Sequence, residues 1–170
     1  MDAFMKEADE LLKEIYWNTF TIQQDFVKRV GRADLSLSEM HILEVVGNSM
    51  MKNINEPKLP ETICRISDIA EELNITSPSV TVAVNKLIKK DCVKKMRSEH
   101  DGRVVYVELT DLGMEIYNRY QKFHYRMIEQ VAGSFNDAEK AVLVRGFARL
   151  NDFFKNKISQ NSEKQAENKN

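Results

Sequence analysis

The sequence predicts a mostly α-helical protein with a small β component, an α+β fold. Apolar residues recur at intervals of three and four over several long stretches, as they do along one face of a helix. The 170 residues include six glycines and three prolines, too few for the many tight turns of an all-β sandwich. Apolar residues make up 42% of the chain and charged residues 30%, which is typical of a folded domain.

The sequence also indicates in which cellular compartment the protein is found. No stretch reaches the roughly eighteen uncharged apolar residues of a membrane span. The N-terminal residues lack the basic and apolar segments of a secretory signal, and two cysteines, Cys64 and Cys92, are too few for a disulfide scaffold. We therefore expect a cytoplasmic protein that does not associate with membranes.

Long amphipathic helices are predicted near both ends of the chain. Residues 4–30 form the first of them. Another helix begins at Thr110, and a capping box of Asn136 and Glu139 begins the last, whose apolar positions continue to Phe154. These helices are too long and too apolar to be covered by one small domain, so a second copy of the chain is expected to cover them.

Between these helices the predicted elements are shorter. Ser36 and Glu39 form a capping box that opens a helix predicted to end at Gly47. Residues 48–62 include turn-forming residues, and their apolar residues follow no regular spacing. We therefore expect an exposed connection of unusual length there.

Two helices joined by a tight turn are predicted next. Residues 66–73 have the pattern of a short helix, and Asn74 suits the left-handed conformation that ends it. Thr76 then caps a second helix. Together they form a helix-turn-helix, and the predicted buried stripe of the second helix is Val80, Val84, Leu87 and Ile88.

A β pattern follows the helix pair. Residues 104–109 are rich in β-branched and aromatic types, and Asp101-Gly102 is a hairpin turn signal. With Val93 on the other side of the turn, the pattern predicts a two-stranded β-wing. A helix-turn-helix followed by such a hairpin is a winged helix-turn-helix lobe.

The predicted domains follow from these elements. Residues 36–110 form the winged helix-turn-helix lobe, and residues 1–30 and 111–158 form a helical dimerisation region. Residues 159–170 are polar, and we expect a disordered tail there.

Charge is unevenly distributed along the chain. Residues 85–103 carry seven cations and three anions, whereas residues 1–25 carry two cations and six anions. A local basic stripe indicates nucleic-acid binding more reliably than the net charge of −1. Hydroxyl and amide side chains bond base edges or phosphates, a valine contacts a thymine methyl group, and lysines suit phosphates. The predicted double-stranded DNA contacts are Thr76, Ser77, Ser79, Thr81, Val82, Asn85, Lys86, Lys89, Arg97 and Arg103.

The predicted wing contact has its own support. Asp101 beside Arg103 at a tight turn can hold the guanidinium extended, as suits a narrow and strongly negative minor groove. The alternative interpretation is a surface salt bridge of little energetic value.

The order of these motifs resembles the MarR family of bacterial regulators over residues 5–158. The matching segments are the sequence Ile-Ser-Asp-Ile-Ala-Glu-Glu-Leu-Asn at 66–74, residues 76–91, the Asp-x-Arg wing and Leu-Thr-Asp-Leu-Gly at 109–113. The resemblance implies a homodimer on a pseudo-palindromic operator and repression released by a ligand. Many members carry Arg where this chain has Ser77 and Val82, a difference that favours an A·T-rich operator.

A narrower resemblance is also present. Residues 37–41, 81–87 and 97–101 are similar to the branch that represses fatty-acid-synthesis genes in Firmicutes. That resemblance implies a response to acylated acyl carrier protein. A small apolar ligand is the other candidate effector, and its candidate pocket residues are His41, Trp17 and Phe20.

Several other functions are alternatives to DNA binding. One is a helical protein-interaction module that binds no DNA. A zinc-responsive regulator would use His41, Glu44 and His124, although the histidines lack the spacing of a metal pair and no metal is expected. A redox-responsive regulator would need a stabilised thiolate, for which the lysines around Cys92 are suited. The chain has no glycine-rich phosphate loop or clustered catalytic residues, so we expect neither an enzyme nor a cofactor.

Overall fold

The computed structural model describes residues 2–30, 34–55, 64–97 and 104–167. Helices dominate these residues, and three short strands accompany them. In chain order the elements are α1 (Ala3–Arg29), α2 (Leu37–Asn55), β1 (Cys64–Arg65), α3 (Ile66–Glu72), α4 (Ser77–Lys89), β2 (Val93–Arg97), β3 (Val105–Leu109), α5 (Asp111–Ala132) and α6 (Asp137–Glu167).

The chain divides into two compact units, Met1–Lys122 and Phe123–Asn170. The first contains α1 to α4, the sheet and the beginning of α5, and the second contains the end of α5 and α6. Val27 and Val30, at the end of α1, belong to the buried core of the first unit. The C-terminal end of α1 therefore packs with the lobe, while most of the helix before it is exposed.

The core of the first unit is formed by α2, α4, β3 and α5. Its fully buried side chains include Met40, Leu43, Val80, Val84, Leu87, Val107 and Tyr120. The predicted stripe of α4 is confirmed at three of its four positions. Ile88 is the exception, with 38% of its surface exposed, because it lies at the edge of the stripe near the end of the helix.

Helix α2 is longer than predicted. It begins at the predicted capping box, where the Ser36 N–H donates to Glu39 Oε2 over 2.7 Å and the Glu39 N–H donates to Ser36 Oγ over 3.2 Å. It does not end at Gly47, since the helix continues to Asn55. A Cβ atom on Gly47 would lie 2.4 Å from the Tyr117 ring, so this glycine makes room for an aromatic side chain. The predicted connection therefore shortens, and its residues 56–62 lie outside the described part of the chain.

The described sheet has three strands: the predicted two-stranded wing, formed by β2 and β3, and a third strand, β1, that was not predicted. β2 and β3 pair in antiparallel register from Val93 with Leu109 to Arg97 with Val105, as the hairpin prediction requires. β1 adds to the free edge of β3, with Cys64 opposite Val107. β1 is only two residues long, too short to show an alternation of apolar and polar residues, and for this reason it could not be predicted from the sequence. The predicted turn, including Asp101 and Arg103, lies outside the described residues.

Helix α6 extends past its predicted end. It begins at the second capping box, where the Asn136 N–H donates to Glu139 Oε2 and the Glu139 N–H donates to Asn136 Oδ1. Because the helix continues to Glu167, the prediction of a disordered tail over 159–170 is wrong for residues 159–167. These residues are polar but include several good helix formers and no glycine or proline. No helix among the described residues is long and apolar enough to cross a membrane.

Candidate nucleic-acid interface

Helix α4 presents its predicted contact face to solvent. Its apolar side chains Val80, Val84 and Leu87 are fully buried, which turns the opposite face outward. Thr81 is half-buried on this face. The exposed members are Thr76, Ser77, Ser79, Val82, Asn85, Lys86 and Lys89. The predicted exposure of these side chains is confirmed, and their contact with DNA stays a prediction.

The turn before α4 fixes the start of that face. Asn74 has a φ of 51°, the left-handed conformation predicted for it. The Ser79 N–H donates to Thr76 Oγ1 over 3.3 Å, and the hydroxyl oxygens of the two residues are 2.8 Å apart. Thr81 Oγ1 donates to the Ser77 carbonyl over 2.9 Å. These hydroxyls stabilise the first turns of α4, so the helix presents its N-terminal N–H groups in a fixed direction.

Two grooves run alongside α4. One, of about 370 Å³, separates the helix from the start of α2 and is lined by Ser36, Ser38, Glu39, Ser79, Val82, Ala83 and Lys86. The other, of about 450 Å³, lies on the opposite side and is lined by Arg65, Ile66, Ser67, Ser77, Thr81, Val104 and Val105. The helix therefore stands out as a ridge, the shape that enters a DNA groove.

Arg65 and Ser67 are candidate contacts that the sequence reasoning missed. Both are exposed and line the second groove beside Ser77. Arg65 also anchors the start of α3, where its N–H donates to Asp68 Oδ2 over 2.9 Å. The available signal was their position at the start of the helix-turn-helix, Arg65 immediately before α3 and Ser67 in its first turn.

The wing strand β2 carries three exposed cations, one of which contacts this face. Lys94 Nζ is 3.0 Å from Glu108 Oε2 on β3. Lys95 Nζ donates to Asn85 Oδ1 on α4 over 2.6 Å, which joins the wing to the predicted contact face. Arg97, the predicted contact at the end of β2, is exposed.

A partly buried ion pair holds the C-terminal end of α4 against the start of α2. Glu39 is 3% exposed, and its Oε2 accepts a hydrogen bond from Lys90 Nζ over 2.8 Å. Lys90 also donates to the Asp34 carbonyl. Burial alone would raise the pKa of Glu39, but hydrogen bonds from Lys90 and Ser36 outweigh it, so the pKa lies below its usual value of 4.5. Glu39 is therefore an ionised anchor beneath α4.

Two of the three candidate pocket residues line a depression on α1 that His41 does not line. Trp17 and Phe20 line an open depression of about 490 Å³ on α1, together with Asp25, Lys28 and other α1 residues. His41 on α2 is half-buried and is not among the lining residues. Burial lowers the pKa of His41.

The metal and redox alternatives find little support in the structure. Within the described ranges, no group of three or more His, Cys, Asp and Glu residues could hold a metal ion. Cys64 and Cys92 are both buried. Burial, with the nearby carboxylates of Asp68 and Glu72, raises the pKa of Cys64 to about 11. Burial also raises the pKa of Cys92 despite the nearby Lys90, which disfavours a stabilised thiolate there.

A helix-turn-helix with an exposed polar ridge, flanked by a basic hairpin, defines a winged-helix DNA-binding protein. The family model described as "Transcriptional regulator SarA/Rot" matches residues 26–120, more than half of the chain. The chain therefore belongs to the SarA/Rot family of transcriptional regulators, which have a MarR-like winged helix. The MarR resemblance of the sequence is confirmed.

Individual relatives agree with this assignment. The structure of Streptococcus pneumoniae FabT in complex with DNA is 28% identical, has a TM-score of 0.76, and covers 89% of this chain and 98% of that one. The transcriptional regulator AdcR of Streptococcus pneumoniae is 27% identical over 68% of this chain and 73% of its own length. A Staphylococcus aureus MepR–DNA complex, 15% identical with a TM-score of 0.62, shares the fold over 86% of this chain and 97% of its own. The chain is a DNA-binding transcriptional regulator.

Proposed function

We propose that the chain acts in the cytoplasm as a homodimeric repressor that binds a pseudo-palindromic operator through α4 and the wing. It has no enzymatic activity in this proposal. The observation that carries it is the exposed ridge of α4, which displays hydroxyl, amide and lysine side chains between two grooves. Such side chains bond base edges and phosphates in the major groove.

Exposed apolar side chains support the homodimer. On α1 the large exposed apolar residues are Phe4, Met5, Leu11, Ile15, Tyr16, Trp17, Phe20 and Ile22. In the second unit they are Tyr125, Met127, Ile128, Val131, Phe135, Val142, Val144, Phe147, Phe153, Phe154 and Ile158. Large exposed apolar side chains that are concentrated on a few helices favour a protein interface on those helices. A twofold axis would place two α4 helices about 34 Å apart, one turn of DNA.

Our inferences about the effector and the target genes are based on the sequence. Residues 37–41, 81–87 and 97–101 are similar to the branch that represses fatty-acid-synthesis genes, and we infer the same target class and a response to acylated acyl carrier protein. The second effector candidate is a small apolar ligand, favoured by the depression beside Trp17 and Phe20 on α1.

Sequencing of the genomic fragments that the purified protein retains tests the proposal first. We expect pseudo-palindromic sites upstream of fatty-acid-synthesis genes. The affinity for such a site should fall steeply with salt, by about 0.9 in log K per phosphate contact for each unit of log salt concentration. A flat salt response, or fragments without a common site, would contradict direct reading by α4.

The effector is tested on the operator recovered in this way. Acylated carrier protein should change the operator affinity, while the unacylated carrier protein serves as the matched control. If both forms of the carrier protein leave the affinity unchanged at saturating amounts, the lipid-linked part of the proposal fails. A change with a free apolar ligand alone would then favour the second effector candidate.

A further inference from the structure

The contact between Lys95 and Asn85 constrains what the recognition helix can read. Lys95 lies on β2 and Asn85 lies on α4, ten residues earlier in the chain. Both side chains are exposed, and Lys95 Nζ is 2.6 Å from Asn85 Oδ1. This hydrogen bond joins the wing to an asparagine, a residue type whose carboxamide reads base edges in the major groove.

The chemistry of the two groups fixes the orientation of the Asn85 carboxamide. An ammonium group only donates hydrogen bonds, whereas a carboxamide has one accepting oxygen and one donating NH2 group. The carboxamide atom next to Lys95 must therefore be the oxygen. The NH2 group of Asn85 is then the part directed away from the wing lysine.

We propose that Lys95 is a specificity-determining residue, because it turns the Asn85 oxygen toward the wing and leaves the NH2 group as the part of the carboxamide that a base meets. The inference rests on the proposal that α4 reads the major groove. Guanine, adenine and thymine each carry a major-groove acceptor, whereas cytosine presents only its N4 donor. The base under Asn85 is therefore selected against cytosine.

The neighbouring lysine does not share this role. Lys94 is the preceding residue on the same strand, and its Nζ pairs with Glu108 on β3 at 3.0 Å. Both lysine side chains are exposed and carry the same charge, but Lys95 is the one that contacts the reading face. Lys94 is therefore a matched control for the loss of one wing charge.

The test measures the affinity of the full-length protein for an operator and for every single-base-pair variant of one half-site. The wild-type protein should reject cytosine at one position. In Lys95→Met the Asn85 carboxamide can rotate and present its oxygen to cytosine N4, so the discrimination against cytosine there should fall by about fivefold or more. Lys95→Arg keeps a donor and should preserve the discrimination, and Lys94→Met should leave every ratio unchanged.

The outcomes separate this inference from the proposed function. If Lys95→Met lowers the affinity for all sequences by one factor and reduces the salt slope by about one, Lys95 is a phosphate contact and the inference is overturned. The inference also fails if Asn85→Ala changes a base preference that Lys95→Met leaves intact. If Asn85→Ala changes no preference while the operator is still bound, the reading role of Asn85 fails as well.

Discussion

The winged helix-turn-helix lobe and the terminal helices differ in whether their large apolar side chains are buried within the chain. In the lobe, Leu87 and Val84 are fully buried by elements of the same chain. On α1, Trp17 is 71% exposed, and on α6, Phe147 is 55% exposed. The lobe is therefore complete within one chain, whereas the terminal helices carry apolar surface that a second chain would cover. We therefore expect that the folding of the contact face of α4 and the proposed dimerisation can be disrupted separately.

The largest expected effect falls on the lobe. Leu87→Ala should lower the free energy of unfolding by about 3 kcal/mol, because it removes a fully buried side chain and leaves a cavity. Chemical denaturation measures this change. Val82→Ala, on the exposed face of the same helix, is the control and should change stability by less than about 0.5 kcal/mol. Equal losses in the two variants would contradict the burial of Leu87 in the core and the exposure of Val82.

The next effect is on pairing between chains. Phe147→Asp should shift the protein to monomer and weaken operator binding by about 100-fold, because the two reading helices no longer act together. Analytical ultracentrifugation and a DNA titration report the two quantities. Asn156→Asp adds the same charge on the opposite face of α6 and should change neither. A Phe147→Asp protein that remains a dimer would remove this face from the interface.

The third largest effect is expected from the ion pair between Glu39 and Lys90 at the end of α4. Lys90→Met should cost about 2 kcal/mol, because it leaves the Glu39 carboxylate buried without its partner. The folded state lowers the pKa of Glu39, so its contribution is present above pH 4.5 and is lost as the pH falls through the folded-state pKa. Unfolding free energies measured across that range should fall less steeply in Glu39→Gln than in the wild type. Identical slopes would contradict this assignment.

The sequence predicted those parts of the fold that depend on local chemistry. The capping boxes at Ser36 and Asn136, the cap at Thr76 and the left-handed Asn74 are short-range patterns, and each is confirmed. The exposed face of α4 followed from helical periodicity alone.

The features that the sequence missed depend on distant residues. Gly47 lies inside helix α2 and does not end it. A glycine is needed at this position because the ring of Tyr117, far along the chain on α5, occupies the space that a side chain would fill. β1 is two residues long, and the edge of β3 defines it. The bond between Lys95 and Asn85 likewise appears only once the wing packs against α4.

The central claim is that the exposed face of α4 contacts DNA, and Val82→Asp tests it most directly. Val82 is 57% exposed, so the variant should fold and dimerise as the wild type does. A negative charge at the centre of this face should face the phosphates and weaken operator binding at least about tenfold in a fluorescence anisotropy titration. An unchanged dissociation constant would show that the DNA lies elsewhere on the protein.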